Sequence, residues 1–65
     1  MNDFSTTLKK LISDANMTQK DFAKKSGMTE AAISRYVNGT RMPNMGALLR
    51  MKTALGCNWE DIMGE

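Results

Sequence analysis

Histidine is absent from the 65-residue chain, and cysteine, proline, tryptophan and tyrosine each occur once. Without imidazole there is no Cys/His zinc spacing, no His-based serine or cysteine triad, and no side chain that switches charge unaided near neutrality. The lone Cys57 has no partner for an internal disulfide. β-Branched apolar residues are as scarce: Val37, Ile12, Ile33 and Ile62 are all there are, and no segment alternates apolar with polar over strand length. A sheet therefore has little to be built from. The longest apolar run, Met45-Gly46-Ala47-Leu48-Leu49, falls far short of the ~20 residues that cross a bilayer. The opening MNDFSTTLKK is polar where a secretory signal would be apolar. These absences lead us to expect one domain over residues 1–65, in a reduced, cytoplasmic setting, with no membrane contact, metal or cofactor.

What is present is enough to fold. Hydrophobic residues make up 42% and charged residues 25%, the balance of a globular chain. A core this small supplies only a few kcal/mol, so local signals must carry much of the specification. The formal net charge of +2 names no partner. Its distribution says more: residues 1–17 sum to zero and residues 42–65 to −1, while residues 18–41 carry Lys20, Lys24, Lys25, Arg35 and Arg41 against Asp21 and Glu30. The positive excess lies in the middle.

Breaks at Ala15-Asn16, Ser26-Gly27, Asn38-Gly39, Pro43-Asn44 and Gly56 divide the chain into four to five pieces of helical length. In the first, Phe4, Leu8, Leu11, Ile12 and Ala15 fall on one apolar stripe, with Asn2 or Asp3 as N-cap and Asn16 as a left-handed stop. The second starts with Thr18 capping, Asp21 answering it, and Met17 stapled to Phe22; it buries Phe22 and Ala23 and ends at Gly27. The third repeats the device, with Thr29 as cap and Met28 stapled to Ile33. Ala32, Ile33 and Tyr36 face inward, flanked by Val37, whereas Glu30, Ala31, Ser34 and Arg35 face out. The fourth follows Pro43-Asn44 and turns Met45, Leu48, Met51 and Leu55 inward, up to Gly56. Asn58 caps a last short helix that buries Trp59, Ile62 and Met63. Cys57 reads as a small buried hydrophobe. Lys52 interrupts the inward stripe, either laying its stem along the surface or meeting another protein. The class is all-α.

The junction of the second and third helices has helix-turn-helix spacing: eight or nine helical residues, Gly27-Met28 in a turn, then Thr29 capping. A small Ala23 suits the crossing point, and Ile33 plugs the angle. Helices joined so tightly cannot run antiparallel, so the outer face of the second one protrudes, a shape that enters a major groove about 12 Å wide.

These residues resemble the Cro and repressor-type helix-turn-helix regulators of phages and bacteria (lambda-repressor-like). The resemblance spans Leu8 to Met63. It is carried by Met17-Thr18-Gln19-Lys20-Asp21-Phe22-Ala23, Ser26-Gly27-Met28-Thr29, Ile33-Ser34-Arg35-Tyr36-Val37-Asn38-Gly39, and Pro43-Asn44 leading to Ala54-Leu55-Gly56-Cys57-Asn58. It implies a compact bundle of five helices and sequence-specific binding of double-stranded operator DNA, usually as a homodimer on a two-fold site. It also implies that Gln19 and Thr29 hold phosphate, that Asn38, Thr40 and Arg41 belong to the loop that holds the DNA backbone, and that Glu30, Ala31, Ser34 and Arg35 face bases or the groove wall. On chemistry alone, Arg35 is the one long donor on that face and suits guanine O6 and N7. Ala31 suits a thymine methyl, and Glu30 a cytosine amine. Lys20, Lys24 and Lys25 point elsewhere and read as a solvated face. A helical protein-interaction module, antitoxin-like or adaptor, is the alternative. An enzyme acting on a small-molecule substrate is disfavoured, because no catalytic constellation is present.

Overall fold

A computed structural model describes residues 3–63 and shows, among them, five helices and no strand: α1 (Asp3–Asp14), α2 (Gln19–Ser26), α3 (Glu30–Asn38), α4 (Met45–Leu55) and α5 (Trp59–Met63). The helix ends follow directly from local chemistry. Thr18 Oγ1 accepts from the Asp21 N–H at 3.1 Å while Asp21 Oδ2 accepts from the Thr18 N–H at 3.3 Å, a closed capping box at the start of α2. Asn58 and Asp61 form the same reciprocal pair ahead of α5. Thr29 caps α3 through the Ala32 N–H at 3.1 Å, and Asn44 caps α4 through the Ala47 N–H at 2.8 Å.

Four helices stop in the same way. At the end of α2, Gly27 adopts φ 72°, its N–H donates to the Lys24 carbonyl, and the Met28 N–H reaches back to the Ala23 carbonyl at 2.9 Å. This is the six-to-one, five-to-two closure that satisfies otherwise orphaned carbonyls. Asn16 (φ 57°), Gly39 (φ 78°) and Gly56 (φ 66°) end α1, α3 and α4 with equivalent bonds. The expected left-handed Asn16 is therefore present. Of the two candidate caps of α1, Asp3 is the first residue of the helix and Asn2 lies outside the described residues.

Packing runs α4 on α2, α2 on α3, α3 on α1 and α1 on α5, within a body measuring 26 × 23 × 21 Å. Each helix sends one large side chain to full burial: Leu8, Phe22, Ile33, Met51 and Ile62. Each such burial contributes about 1.5–3 kcal/mol against solvent exposure. Phe4, Ile12, Ala23, Val37, Leu48 and Ala54 complete the core, and Leu11, Met17, Met28, Tyr36, Leu55 and Cys57 pack around it. Ser26, the one buried polar residue described, donates its hydroxyl to the Phe22 carbonyl at 2.7 Å and so enters the interior without an unmet bond.

Several expected inward residues are not inside. Ala15 follows the last residue of α1 and is exposed. Met45, at 69% exposure, starts α4 and overhangs the packing, whose inward row is Leu48, Met51 and Ala54. Trp59 and Met63 stay 41% and 47% exposed because a five-residue helix has one inward position against α1, and Ile62 takes it. On α3, Val37 is core while Ala32 and Tyr36 are half-buried at its edges, because α1 and α2 clasp the helix from two sides. Cys57 is half-buried, its thiol 4.0 Å from the Lys52 carbonyl, and burial raises its pKa. Among the described residues no helix is long and apolar enough to cross a membrane.

Two outcomes are expected. Ala23→Leu overpacks the α2/α3 crossing and lowers stability by about 1–3 kcal/mol, seen as a reduced Tm; an unchanged Tm would place the crossing elsewhere. The backbone and hydroxyl of Thr18 hold the Asp21 carboxyl below its ordinary pKa. Stability from this pair is thus complete above the unfolded carboxylate value and lost as pH falls through the lower folded value. Asp21→Asn should flatten that acid limb in urea titrations between about pH 5 and pH 2.

Candidate functional site

The outer side of α3 is set by its inner side. Ile33 and Val37 are drawn into the core, which leaves Ala31 and Arg35 exposed on the far face and Glu30 exposed in the first turn. The two ends of α3 are fixed by Thr29 and by the left-handed Gly39, so the helix presents this face at a defined angle to α2. Ser34 is half-buried and accepts from Asn38 Nδ2 at 3.3 Å. It sits at the border of the face and not at its centre.

Beyond α3 the chain does not restart a helix at once. The Arg35 carbonyl accepts both the Thr40 N–H at 3.0 Å and the Thr40 hydroxyl at 3.2 Å, which ties the start of the loop back to the helix. Arg41 then returns toward α3. It lines, with Arg35, Tyr36, Ala32, Met42 and Asn44, a cleft of about 190 Å³. The structure thus brings Arg35 and Arg41 to one cleft, two guanidiniums with no acid in the lining. Gln19 is exposed but stands apart, in a cleft of about 180 Å³ with Lys9, Ser13, Met17, Ile12 and Val37, where α2 begins beside α1 and the end of α3. Lys20, Lys24 and Lys25 are exposed.

Asn44 enters the site from the structure alone. It lines the Arg35/Arg41 cleft and also a second of about 340 Å³ with Met28, Gly46, Ala47 and Arg50. In the sequence Pro43-Asn44 signals only a helix start; that this start lies beside α3 is a tertiary fact. The one available hint is that no acidic residue occurs between Glu30 and Glu60 while Arg35, Arg41, Arg50 and Lys52 do.

The start of α3 differs from those of α2 and α5. Its third helical position is Ala32, without an acceptor, so Thr29 caps without the reciprocal carboxylate that closes the boxes at Thr18 and Asn58. The missing carboxylate leaves the N–H of Thr29 itself without a side-chain acceptor, while the Ala32 N–H is taken by Thr29 Oγ1. No group of three or more potential metal ligands occurs among the described residues.

A family model described as helix-turn-helix matches residues 8–62 of the chain. Comparisons with curated proteins and with solved structures found no match.

Because Thr29 supplies a single cap bond, Thr29→Ala should cost about 1 kcal/mol of stability in chemical denaturation, and Thr29→Ser should recover most of it. Equal stability of all three proteins would mean that the α3 start is held by packing alone.

Proposed function

Since the chain belongs to the Cro and repressor-type helix-turn-helix family, a family of DNA-binding regulators, we propose that it reads double-stranded operator DNA with α3 in the major groove. Regulation follows from occupancy: a bound protein excludes polymerase or a competing regulator from the site. The observation that carries this reading is the exposure of Glu30, Ala31 and Arg35 on the face of α3 that turns away from Ile33 and Val37. A helix is about 10–12 Å across and the major groove about 12 Å wide, so a helix whose Glu30, Ala31 and Arg35 face is left uncovered can enter.

Roles follow from chemistry. Arg35 is the base reader, with guanine O6 and N7 as its bidentate partner; Ala31 meets a thymine methyl, Glu30 accepts from a cytosine amine, and Ser34 lines the groove wall. Gln19 and the Thr29 end of α3 hold phosphate on either side of the groove. Asn38, Thr40 and Arg41 hold the backbone next to the Arg35 cleft. A module of this size buries about 600–1,000 Å² on DNA, and strong discrimination calls for two copies on a two-fold site. Residues 1–65 act as one domain, and no small-molecule substrate is involved.

Selection of duplexes from a random pool at two salt concentrations tests the proposal. A two-fold consensus is expected, with log K falling linearly in log salt by about 0.9 for each phosphate neutralised. Absent or salt-insensitive duplex binding would instead favour a protein-interaction module. On the selected site, Arg35→Ala should cost about 1–3 kcal/mol and relax preference at one base pair, while Gln19→Ala should weaken all duplexes alike. Uniform loss from Arg35→Ala would make it a phosphate contact.

A further inference from the structure

Ser26 and Ser34 use their hydroxyl protons differently. Inside α2, Ser26 donates to the Phe22 carbonyl one turn back at 2.7 Å, with the Ala23 carbonyl at 3.2 Å. A helical serine commonly turns its proton to the preceding turn in this way. On α3, Ser34 does not: its Oγ accepts from Asn38 Nδ2 at 3.3 Å, and its side chain makes no other hydrogen bond among the described residues. Glu30 stands one turn before Ser34 and is exposed, yet its carboxylate does not take the proton either. A hydroxyl has one proton and two lone pairs. With the Asn38 amide against a lone pair, the proton faces away from Asn38 and is uncommitted. Ala31, Ser34 and Asn38 follow one another at helical spacing beside Arg35, so this proton lies along the border of the exposed face of α3.

We propose that Asn38 fixes the hydrogen-bond polarity of Ser34, making Ser34 a donor toward the base edge it meets and Asn38 a positioning residue for operator specificity. A hydroxyl free to rotate serves donors and acceptors alike and tells few bases apart. One that already accepts from an amide still has its proton to place, and a buried donor left unpaired costs more than a second lone pair left unused. Ser34 therefore suits O6 and N7 of guanine or O4 of thymine, and finds no acceptor on cytosine, whose groove edge offers the N4 amine. The remaining Nδ2 proton of Asn38 stays available to a phosphate, so positioning Ser34 and holding the DNA backbone are compatible. The inference rests on the proposed reading of DNA by α3 and deepens it, carrying Ser34 from the groove wall to a base.

Duplex selection from a random pool, run on the wild-type chain, Ser34→Ala, Asn38→Ala, Asn38→Asp and the double variant Ser34→Ala/Asn38→Asp, tests this, with circular dichroism confirming that each is folded. At one position of the site the wild type should favour guanine or thymine over cytosine by about three- to tenfold, the size of a single net hydrogen bond. Ser34→Ala and Asn38→Ala should lose that preference there and nowhere else. Asn38→Asp replaces the donor by an acceptor, so the Ser34 proton turns to the carboxylate and its lone pairs face the groove. The preference should then invert toward cytosine, on top of a loss on every duplex from the added charge. The double variant has no hydroxyl and should show no preference. Asn38→Ala that keeps the wild-type ranking, Ser34→Ala that weakens all duplexes alike, or an inversion that persists in the double variant would each overturn the inference. A wild-type chain that binds no duplex rejects DNA reading itself, whereas one consensus shared by every variant keeps that reading and rejects only the role given to Asn38.

Discussion

The left-handed residue that ends one helix, followed by an apolar residue and then a capping side chain, is the constraint from which the rest of this fold follows. It occurs as Asn16-Met17-Thr18, Gly27-Met28-Thr29 and Gly56-Cys57-Asn58. In each, the middle residue serves twice: its N–H closes the preceding helix, and its side chain packs against the core just ahead of the next one. With no spare residues between stop and start, the direction of each new helix is fixed by backbone geometry, and side-chain packing has only to accept it. A core with five fully buried large side chains, one per helix, suffices because so little orientation remains to be decided.

The exception is informative. After Gly39 the equivalent position is Thr40, polar and exposed, and Arg41, Met42 and Pro43 intervene before the next cap. The chain there is held by Thr40 bonding to the Arg35 carbonyl instead of by an apolar plug. The loop stays on the surface, carrying Arg41 to Arg35. One junction thus departs from the pattern that organises the others, and it borders the face proposed to meet DNA. A loop that supplies polar contacts cannot also be pinned by burying its middle residue.

The fold's boundaries were legible because they are written in interactions three to five residues long. Thr18 with Asp21, Thr29 with the Ala32 amide, Asn44, Asn58 and the left-handed Asn16, Gly27, Gly39 and Gly56 all act within their own segment. Burial was legible only where a helix meets neighbours on both sides of its stripe. Leu8 and Ile33 follow the periodicity. Met45, Trp59 and Met63 do not, because a first turn or a single-turn helix extends past its neighbours, and periodicity carries no information about where packing stops. For the site, the exposed face of α3 could be read from its wheel, except that Val37 is core and Ser34 is drawn to the edge. The joining of Arg35 with Arg41 and Asn44 in one cleft depends on how the loop ahead of α4 returns to α3, and no local pattern encodes that.

Charge placement resolves what a net of +2 means. Asp21, Glu30, Glu60 and Asp61 all stand in first turns, and Lys24, Lys25, Arg35 and Lys52 in last turns, each opposing the partial charge of its helix end. Glu30 is therefore accounted for by helix stability before any partner is considered. In the proposed complex that same carboxylate stands at the helix end where phosphate would otherwise be drawn most strongly. A phosphate centred over the first turn of α3 would meet that like charge, so the phosphate proposed for Thr29 has to reach its hydroxyl from the side away from the Glu30 carboxylate, whereas a base amine in the groove would be attracted. The acid thus narrows the poses in which α3 can lie on a duplex. Selectivity would then come partly from repulsion, with Arg35 attracting at one end of the helix and Glu30 rejecting misplaced backbone at the other.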